Sequence, residues 1–466
     1  MALTTLLPPL TASIYYPVIT ELARELNVSI TEINLTITVY LIIQGIAPSF
    51  VGNLSDETGR RPALLVSLLI FIAGSIGAAF RRNYALLLAM RCVQSAGSSG
   101  TIALSLATVS DIVTSAERGR YTSYVQMGWM LGPSLGPVIG GLLSQYLGVS
   151  SIFWFLAIYA SIVWIVSAAF LPETCRRIVG NGSTPTSYWN MSLLEYLRRS
   201  KQDEISATHQ SKPRTGPRGA RLNPLKSLKL FREKETGLLL LYSGFIYASS
   251  YMVLSTFTDQ LEEKYGFDTL HISLCFLASG FGTATSTLLT GRLLDWNFRR
   301  HAKLIGLEIS TQKQQDLARF PIEVARLQIS IPALVMCSVC LLGYTWTLQS
   351  GKHIAVTLMF LFFECFGSAS SFSGFSNLVM DLNREKPGTA SAAMNLARCW
   401  MGAGGTAFAT PLVRSGGIGW LGVTIAGIWI MFSPVVFSAI KFGPQWREEE
   451  RIRKADDNNS HQETPP

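Results

Sequence analysis

Charge is scarce in this sequence. Asp, Glu, Lys and Arg make up 15% of its 466 residues against 48% hydrophobic, with a mean hydropathy of +0.30, whereas soluble globular chains carry about 25% charged residues. The shortage excludes an ordinary water-soluble domain and predicts a polytopic membrane protein. Histidine is rarer still, at five in the whole chain. That is too few for a His-built metal cluster, and no zinc-type spacing occurs, so no metal is expected. There is no Walker phosphate loop to suggest an ATP-driven pump and no constellation of a soluble enzyme, so no enzymatic activity is expected. Cysteine, at seven, does not suggest a disulfide framework: Cys92, Cys275, Cys337, Cys340, Cys365 and Cys399 lie in apolar runs and Cys175 in a polar one. Cys337-x-x-Cys340 has redox or metal spacing, but inside an apolar helix it reads as packing.

What is present is a series of apolar runs of membrane-crossing length, judged against the ~20 residues needed to cross ~30 Å of hydrocarbon. Eleven stand at about 31–51, 62–80, 84–110, 121–146, 149–171, 237–258, 269–294, 328–348, 353–380, 388–412 and 418–440. A twelfth opens the chain, where MALTTLLPPLTASIYYPVIT carries Pro8, Pro9 and Pro17 and reads as the outer part of a shortened first helix. It lacks the basic region and cleavage site of a signal peptide. The expected division is a six-helix bundle over 1–171, a basic cytoplasmic linker over 172–236, a second six-helix bundle over 237–440 and a cytoplasmic tail over 441–466. Within the linker, HQSKPRTGPRGARLNP is expected to be disordered, and LNPLKSLKLF suits a short helix lying on the inner leaflet.

Charge orients the spans. With both termini cytoplasmic, most of the 39 Lys and Arg face inward, 13 of them in the linker alone, as the positive-inside rule requires. The net charge of +9 is then explained by anionic lipid of the inner leaflet and needs no nucleic acid.

One charged cluster occurs twice. Gly52-x-Leu54-x-Asp56-x-x-x-Arg60-Arg61 follows the second span, and Gly291-x-Leu293-x-Asp295-x-x-x-Arg299-Arg300 follows the eighth, every matched position offset by 239. Such a match marks an internal duplication, the build of secondary transporters with a site near the interface of their halves. Gly59 permits a tight turn in the first copy; its counterpart is Phe298, so the same turn is not expected there. The cluster reads as a charge latch on the cytoplasmic side, with Arg60 and Arg61 as topology anchors and Asp56 pairing with an arginine or capping the next helix. A second pattern places Gly128, Gly132, Gly136 and Gly140 on one helical face beside Gly141, which permits close helix approach, with Pro133 and Pro137 supplying bend.

On these residues the chain resembles the major facilitator superfamily over essentially its whole length. The stretch Gly52 to Arg61 is similar to that superfamily's signature between the second and third spans. Gly128-x-x-x-Gly132-Pro133-x-x-Gly136-Pro137-x-x-Gly140-Gly141 resembles the antiporter motif of twelve-span drug:proton antiporters, and Arg91-x-x-Gln94 its companion. LTASIYYPVI, LPET, GRLLDWNFRR and MNLARC are similar to the fungal branch of quinidine-resistance and polyamine exporters; Ser95 departs from a glycine common there. The resemblance implies an all-α membrane protein of two pseudo-symmetric six-helix bundles. It implies proton-coupled efflux of drugs, toxins, secondary metabolites or polyamines by alternating access, with the proton gradient as energy source and no cofactor. A nutrient or sugar importer, or a non-transporting sensor or remnant, are the alternatives. A monomer in the plasma membrane, partnered by protons, lipid and a small-molecule substrate, is expected.

Three ionisable groups stand deep in spans, Arg91, Glu364 and Arg398. Such groups are costly in hydrocarbon and point to function. At 1.5 Å per residue Glu364 and Arg398 both lie roughly 15 Å deep, so they could form an ion pair, or Glu364 could alternate between pairing and carrying a proton. Arg91 has no acid at its depth in the first half and is expected to brace the fold or take part in proton transfer. Tyr15, Tyr16, Tyr40, Tyr247, Tyr251, Phe257 and Trp400 could line an aromatic cavity holding flat or cationic compounds by stacking and cation–π contact, with lipid-facing or packing roles as the alternative for each. Asn27, in Asn-Val-Ser, is the one sequon clearly on the outer side and a weak glycosylation candidate.

Overall fold

The computed structural model describes residues 1–112, 118–179, 190–192, 230–305, 320–383 and 387–462, and among them there are helices and turns but no strand. In chain order the helices are α1 (Ala2–Ser13), α2 (Ile19–Leu26), α3 (Ile30–Thr58), α4 (Arg60–Ala79), α5 (Tyr84–Ile112), α6 (Arg118–Leu147), α7 (Ser150–Phe170) and α8 (Arg176–Val179). The second half contributes α9 (Lys234–Tyr265), α10 (Thr269–Leu304), α11 (Ile322–Gln349), α12 (Ile354–Leu382), α13 (Pro387–Gly416) and α14 (Ile418–Gln462). Nine helical stretches among the described residues are long and apolar enough to cross a membrane. Helices α5, α6 and α13, of 29, 30 and 30 residues, occupy the positions of three further spans.

The first crossing is longer than its leading apolar run. It extends over Ala2–Leu26, and a 3-10 turn at Tyr16–Val18 interrupts it. Pro17 explains the break, because it has no N–H to give the carbonyl of Ser13, four residues back, where α1 ends. Helix α2 closes on Asn27 in the left-handed conformation, φ 51°. Helix α3 then opens on a capping box: Ser29 Oγ accepts from the Glu32 backbone N–H at 3.2 Å, and Glu32 Oε2 accepts from the Ser29 N–H at 2.8 Å.

The chain forms two compact units whose boundaries differ from those of the expected halves. One unit contains 1–224, 252–281 and 403–411; the other contains 225–251, 282–402 and 412–466. In unit 1, α4 packs on α5 and α7, and α1 packs on α5 and α6; in unit 2, α11 packs on α12 and α14. The pairings of α4 with α5 and α7 recur as those of α11 with α12 and α14, as a duplication requires. Segments of the second half complete unit 1 at the helix ends opposite the Gly59 turn. Asn34 Nδ2 donates to Thr410 Oγ1 at 2.7 Å, Thr38 and Thr406 share a hydrogen bond at 2.8 Å, and Thr258 donates to the Tyr16 carbonyl at 2.8 Å. Arg24 and Glu262 form an ion pair beside them.

Helix α14 runs from the last expected span on through the expected tail to Gln462. The expected disordered stretch HQSKPRTGPRGARLNP lies outside the described residues. So does the expected surface helix, apart from Leu230 and Phe231, which stand in a 3-10 turn over Leu230–Arg232.

Candidate functional site

The charged cluster at 52–61 builds a turn around one carboxylate. Helix α3 ends at Thr58, Gly59 takes φ +112°, and α4 starts at Arg60. The first N–H groups of a helix have no partner within it, and here Glu173, just beyond α7, supplies one. Its Oε1 accepts from the Arg60 N–H at 2.9 Å and its Oε2 from the Arg61 N–H at 3.3 Å, while Oε1 also accepts from Thr174 and Cys175 N–H at 2.9 Å. A negative charge at that helix N-terminus is favoured by the helix dipole. Arg60 donates through Nε to Asp111 Oδ2 at 3.1 Å and through Nη1 to Ser55 Oγ at 2.6 Å. Arg61 is buried and donates to the Ala168 carbonyl in the last turn of α7 at 2.9 Å. The side chain of Asp56, expected to pair with an arginine or cap the next helix, lies outside the described ones; the cap on α4 among the described residues is Glu173.

The second copy has the sequence but not the turn. Helix α10 continues unbroken through 291–300 to Leu304, because Phe298 stands where Gly59 would be and packs on Phe320, ring centroids 4.7 Å apart. Asp295, Arg299 and Arg300 are exposed on this helix, with the Arg300 guanidinium 5.6 Å from the Trp296 ring. The ion pair is kept by other residues. Arg326, in the first turns of α11, donates to Asp381, at the end of α12, at 2.9 Å, as Arg60 at the start of α4 donates to Asp111 at the end of α5. Anchoring of the third span to the sixth recurs as well, with Arg447 of α14 paired to the buried Glu323 of α11 at 3.0 Å.

The glycine stripe of α6 faces α1. A Cβ at Gly132 would lie 2.6 Å from Pro9 Cγ and 2.8 Å from the Leu10 N, one at Gly136 would lie 2.9 Å from the Ile14 N, and those at Gly128 and Gly140 would meet Thr5 and Ile14. Gly141 instead faces Ser273 within the same unit. Hydroxyls of α1 seal the contact, Thr5 donating to the Val125 carbonyl at 2.7 Å and Ser13 to that of Gly132 at 2.9 Å. Pro133 and Pro137 sit within α6, which remains one helix.

Arg91 of α5 is fully buried in unit 1 between two tyrosine rings, its guanidinium carbon 4.3 Å from the centroid of Tyr15 and 4.5 Å from that of Tyr40. Its Nη1 donates to Gln94 Oε1 at 3.2 Å and to the Thr11 carbonyl at 3.4 Å, and Gln94 Nε2 donates to Ser75 at 3.0 Å. The rings are held in turn, Tyr15 by Thr36 at 2.9 Å and Tyr40 by Ser98 at 3.1 Å. Ser95, the departure from the family glycine, donates to the Tyr40 carbonyl at 2.6 Å.

Unit 2 holds the other two ionisable groups, and it keeps them apart. The buried Glu364 carboxylate of α12 accepts from the Cys365 thiol at 3.2 Å, with the Cys337 thiol of α11 at 4.0 Å from its other oxygen. Arg398 of α13 donates to Asn395 Oδ1 at 2.7 Å and stands 4.9 Å from the Tyr247 ring of α9. The expected ion pair of Glu364 with Arg398 is therefore not formed: each turns to neighbours on its own helix and on a different second helix. Tyr247 and Tyr251 are linked through their hydroxyls at 3.2 Å, and Tyr247 also packs on Phe372 of α12 at 5.5 Å. Asn27 is exposed, just ahead of the Ser29 capping box.

Three acids that the sequence does not single out thus do structural work. Glu173 lies inside LPET, a stretch whose likeness to the fungal exporters carries no role for it; Asp111 and Asp381 end long spans with nothing local to mark them. Cys337 reads as plain packing in the sequence and Cys365 only as a cysteine in an apolar run, and in the structure both are neighbours of Glu364.

Comparison with known proteins agrees with this architecture. The Major Facilitator Superfamily family model matches residues 1–406. The MFS-type transporter clz19 of Cochliobolus lunatus is 40% identical over 444 residues, covering 94% of this chain and 82% of that protein. Citrate exporter 1 of Aspergillus niger is 34% identical, covering 99% of this chain and 88% of that protein. Among solved structures, the human organic anion transporter MFSD10 (TETRAN) matches in fold with a TM-score of 0.57 at 18% identity, covering 93% of this chain and 97% of that one. The chain is a multi-pass membrane protein of transporter architecture, and it belongs to the Major Facilitator Superfamily.

Proposed function

We propose that this protein is a secondary active exporter that moves small organic molecules across a membrane in exchange for protons by alternating access. The observation that carries the reading is Glu364, a carboxyl group fully buried in unit 2 whose neighbours are the thiols of Cys365 and Cys337. An ionised carboxylate whose side-chain donors among the described residues are weak thiols is expensive inside a membrane. A proton removes that cost, and a change of conformation that brings water or a cation to the group returns it. Alternation between those two conditions is what a proton carrier needs. The unbroken α6, kept at close quarters with α1 by its glycine stripe, is the element suited to slide or rock during the cycle, and the Gly59 turn with its Glu173 cap is the rigid corner at the far end of α3. Relatives named as transporters, one of them an exporter of citrate, support movement of small organic molecules. The gradient itself is the energy source, and the protein acts as a monomer in the plasma membrane with both termini cytoplasmic.

The test is reconstitution of the purified chain into proteoliposomes with an imposed pH gradient and a trapped pH dye. Substrate-driven proton flux is expected in the wild type. Glu364→Gln is expected to lose the proton flux while still exchanging substrate down its own gradient. Unchanged proton flux in Glu364→Gln removes the carrier, and substrate movement indifferent to the pH gradient in the wild type removes proton coupling.

A further inference from the structure

The aromatic faces that the sequence offers to a cationic substrate are already engaged by the protein's own cations. In unit 1 the rings of Tyr15 and Tyr40 hold Arg91, and in unit 2 the ring of Tyr247 holds Arg398. A cation placed on the same rings would meet the positive charge of an arginine a few ångströms away, a repulsion that low dielectric makes strong. In this conformation Glu364 gives such a cation no counter-charge, because its carboxylate lies fully buried against Cys337 and Cys365. Cation–π recognition of a polyamine or a quaternary drug at these tyrosines is thus disfavoured by residues already in place.

Resting on the transport reading above, we infer that the cargo is an organic anion and that Arg398 binds its carboxylate. The arrangement around Arg398 is a set of donors on a positioned base. Arg398 is 7% exposed, while Tyr247 and Asn395 beside it are only half-buried, so the cation stands one side chain away from accessible surface. Asn395 Oδ1 fixes one edge of the fork at 2.7 Å and the Tyr247 ring fixes its plane from 4.9 Å. A guanidinium oriented in this way matches a carboxylate in planarity and in charge. The hydroxyls of Tyr247 and Tyr251, hydrogen-bonded to each other at 3.2 Å, add polar groups on the same side of α9. Phe372 packs on Tyr247 at 5.5 Å and supplies an apolar wall, which suits an acid with an apolar or aromatic body.

Thermal stability of the purified full-length protein in nanodiscs, followed by tryptophan fluorescence at constant ionic strength, tests this directly. The probes are benzoate, octanoate and citrate as anions, and spermidine and tetraphenylphosphonium as cations. Saturable stabilisation by at least one carboxylate and by neither cation is expected, since a ligand that binds the folded state raises its midpoint. Arg398→Gln is expected to weaken the carboxylate effect by about tenfold to a hundredfold, with Arg398→Lys in between. Asn395→Asp guards against misfolding: it keeps the acceptor on the arginine but neutralises the fork from within, so the fold should persist while carboxylate stabilisation is lost. Stabilisation by a cation alone, by none of the three carboxylates, or by a carboxylate equally in wild type and Asn395→Asp overturns the inference. Carboxylate binding without movement in proteoliposomes sinks the transport reading instead, and proton-coupled movement of spermidine unaffected by Arg398→Gln sinks only this one.

Discussion

A methyl group on Gly59 would stand 2.8 Å from Glu173 Cδ and nearer still to its Oε2. The cap on α4 and the missing side chain at 59 therefore depend on each other. Position 59 is also held at φ +112°, which an L side chain adopts only under strain. Gly59→Ala should lower stability by about 2 kcal/mol or more, from left-handed strain and a displaced cap together. Glu173→Ala should cost about 1 kcal/mol by leaving the Arg60 and Arg61 N–H groups unmet. Because the two residues touch, the double variant should be less harmful than the sum of the singles. Thermal midpoints of the four proteins in detergent check this, and strict additivity would show that the carboxylate is not what crowds position 59.

The α6 stripe predicts a position-dependent response to the smallest possible change. Gly132→Ala and Gly136→Ala place a methyl against Pro9 and Ile14 at under 3 Å and should force α6 off α1, with transport reduced severalfold or lost. Gly427→Ala, in α14, meets nothing within 4 Å and should be neutral or stabilising by a few tenths of a kcal/mol, because alanine loses less backbone entropy in a helix. Uptake and midpoint measured side by side decide whether close approach, rather than glycine content, is what the stripe provides.

What is legible in the amino-acid order depends on range. The spans, the turn at Gly59 and the glycine stripe are written in local periodicity and in backbone needs that one residue type meets. Phe298 likewise announces that the second copy does not turn. The partners are not legible: Asp111 meets Arg60 from 51 residues away, Glu173 meets it from 113, and Arg326 meets Asp381 from 55. Nothing local distinguishes those acids from others at a span end. Depth alone puts Glu364 and Arg398 at one level of the membrane, but which face of each helix they occupy depends on packing, and packing turns Glu364 toward α11 and Arg398 toward α9.

Arg326 and Asp381 should therefore behave as the second half's version of Arg60 and Asp111. Both pairs are only about 15% exposed at their side chains, so single changes leave a poorly solvated charge behind. Asp381→Arg and Arg326→Asp should each cost about 1–2 kcal/mol, and the exchanged double variant should recover most of it. The same exchange at Asp295 and Arg299, both exposed on α10, should change stability by no more than about 0.5 kcal/mol. Expression level and thermal midpoint report on all of these, and a large loss at Asp295 would return the latch to the repeated motif.

Thr38 and Thr406 share a hydrogen bond at 2.8 Å, and Asn34 donates to Thr410 one turn away. These hydrogen bonds join α3 to the 403–411 segment of α13 at the end opposite the Gly59 turn. Interhelical hydrogen bonds in membranes are worth about 0.6–2 kcal/mol each, strong enough to favour a closed end and weak enough to be broken in every cycle. If transport requires that end to open, a bond that cannot break should stop it. Thr38→Cys with Thr406→Cys should cross-link on mild oxidation and lose transport, and reduction should restore it. Either cysteine alone should transport under both conditions. Full activity in the oxidised, cross-linked double variant would mean that this end of the protein stays closed throughout the cycle, and that the path of the cargo lies elsewhere.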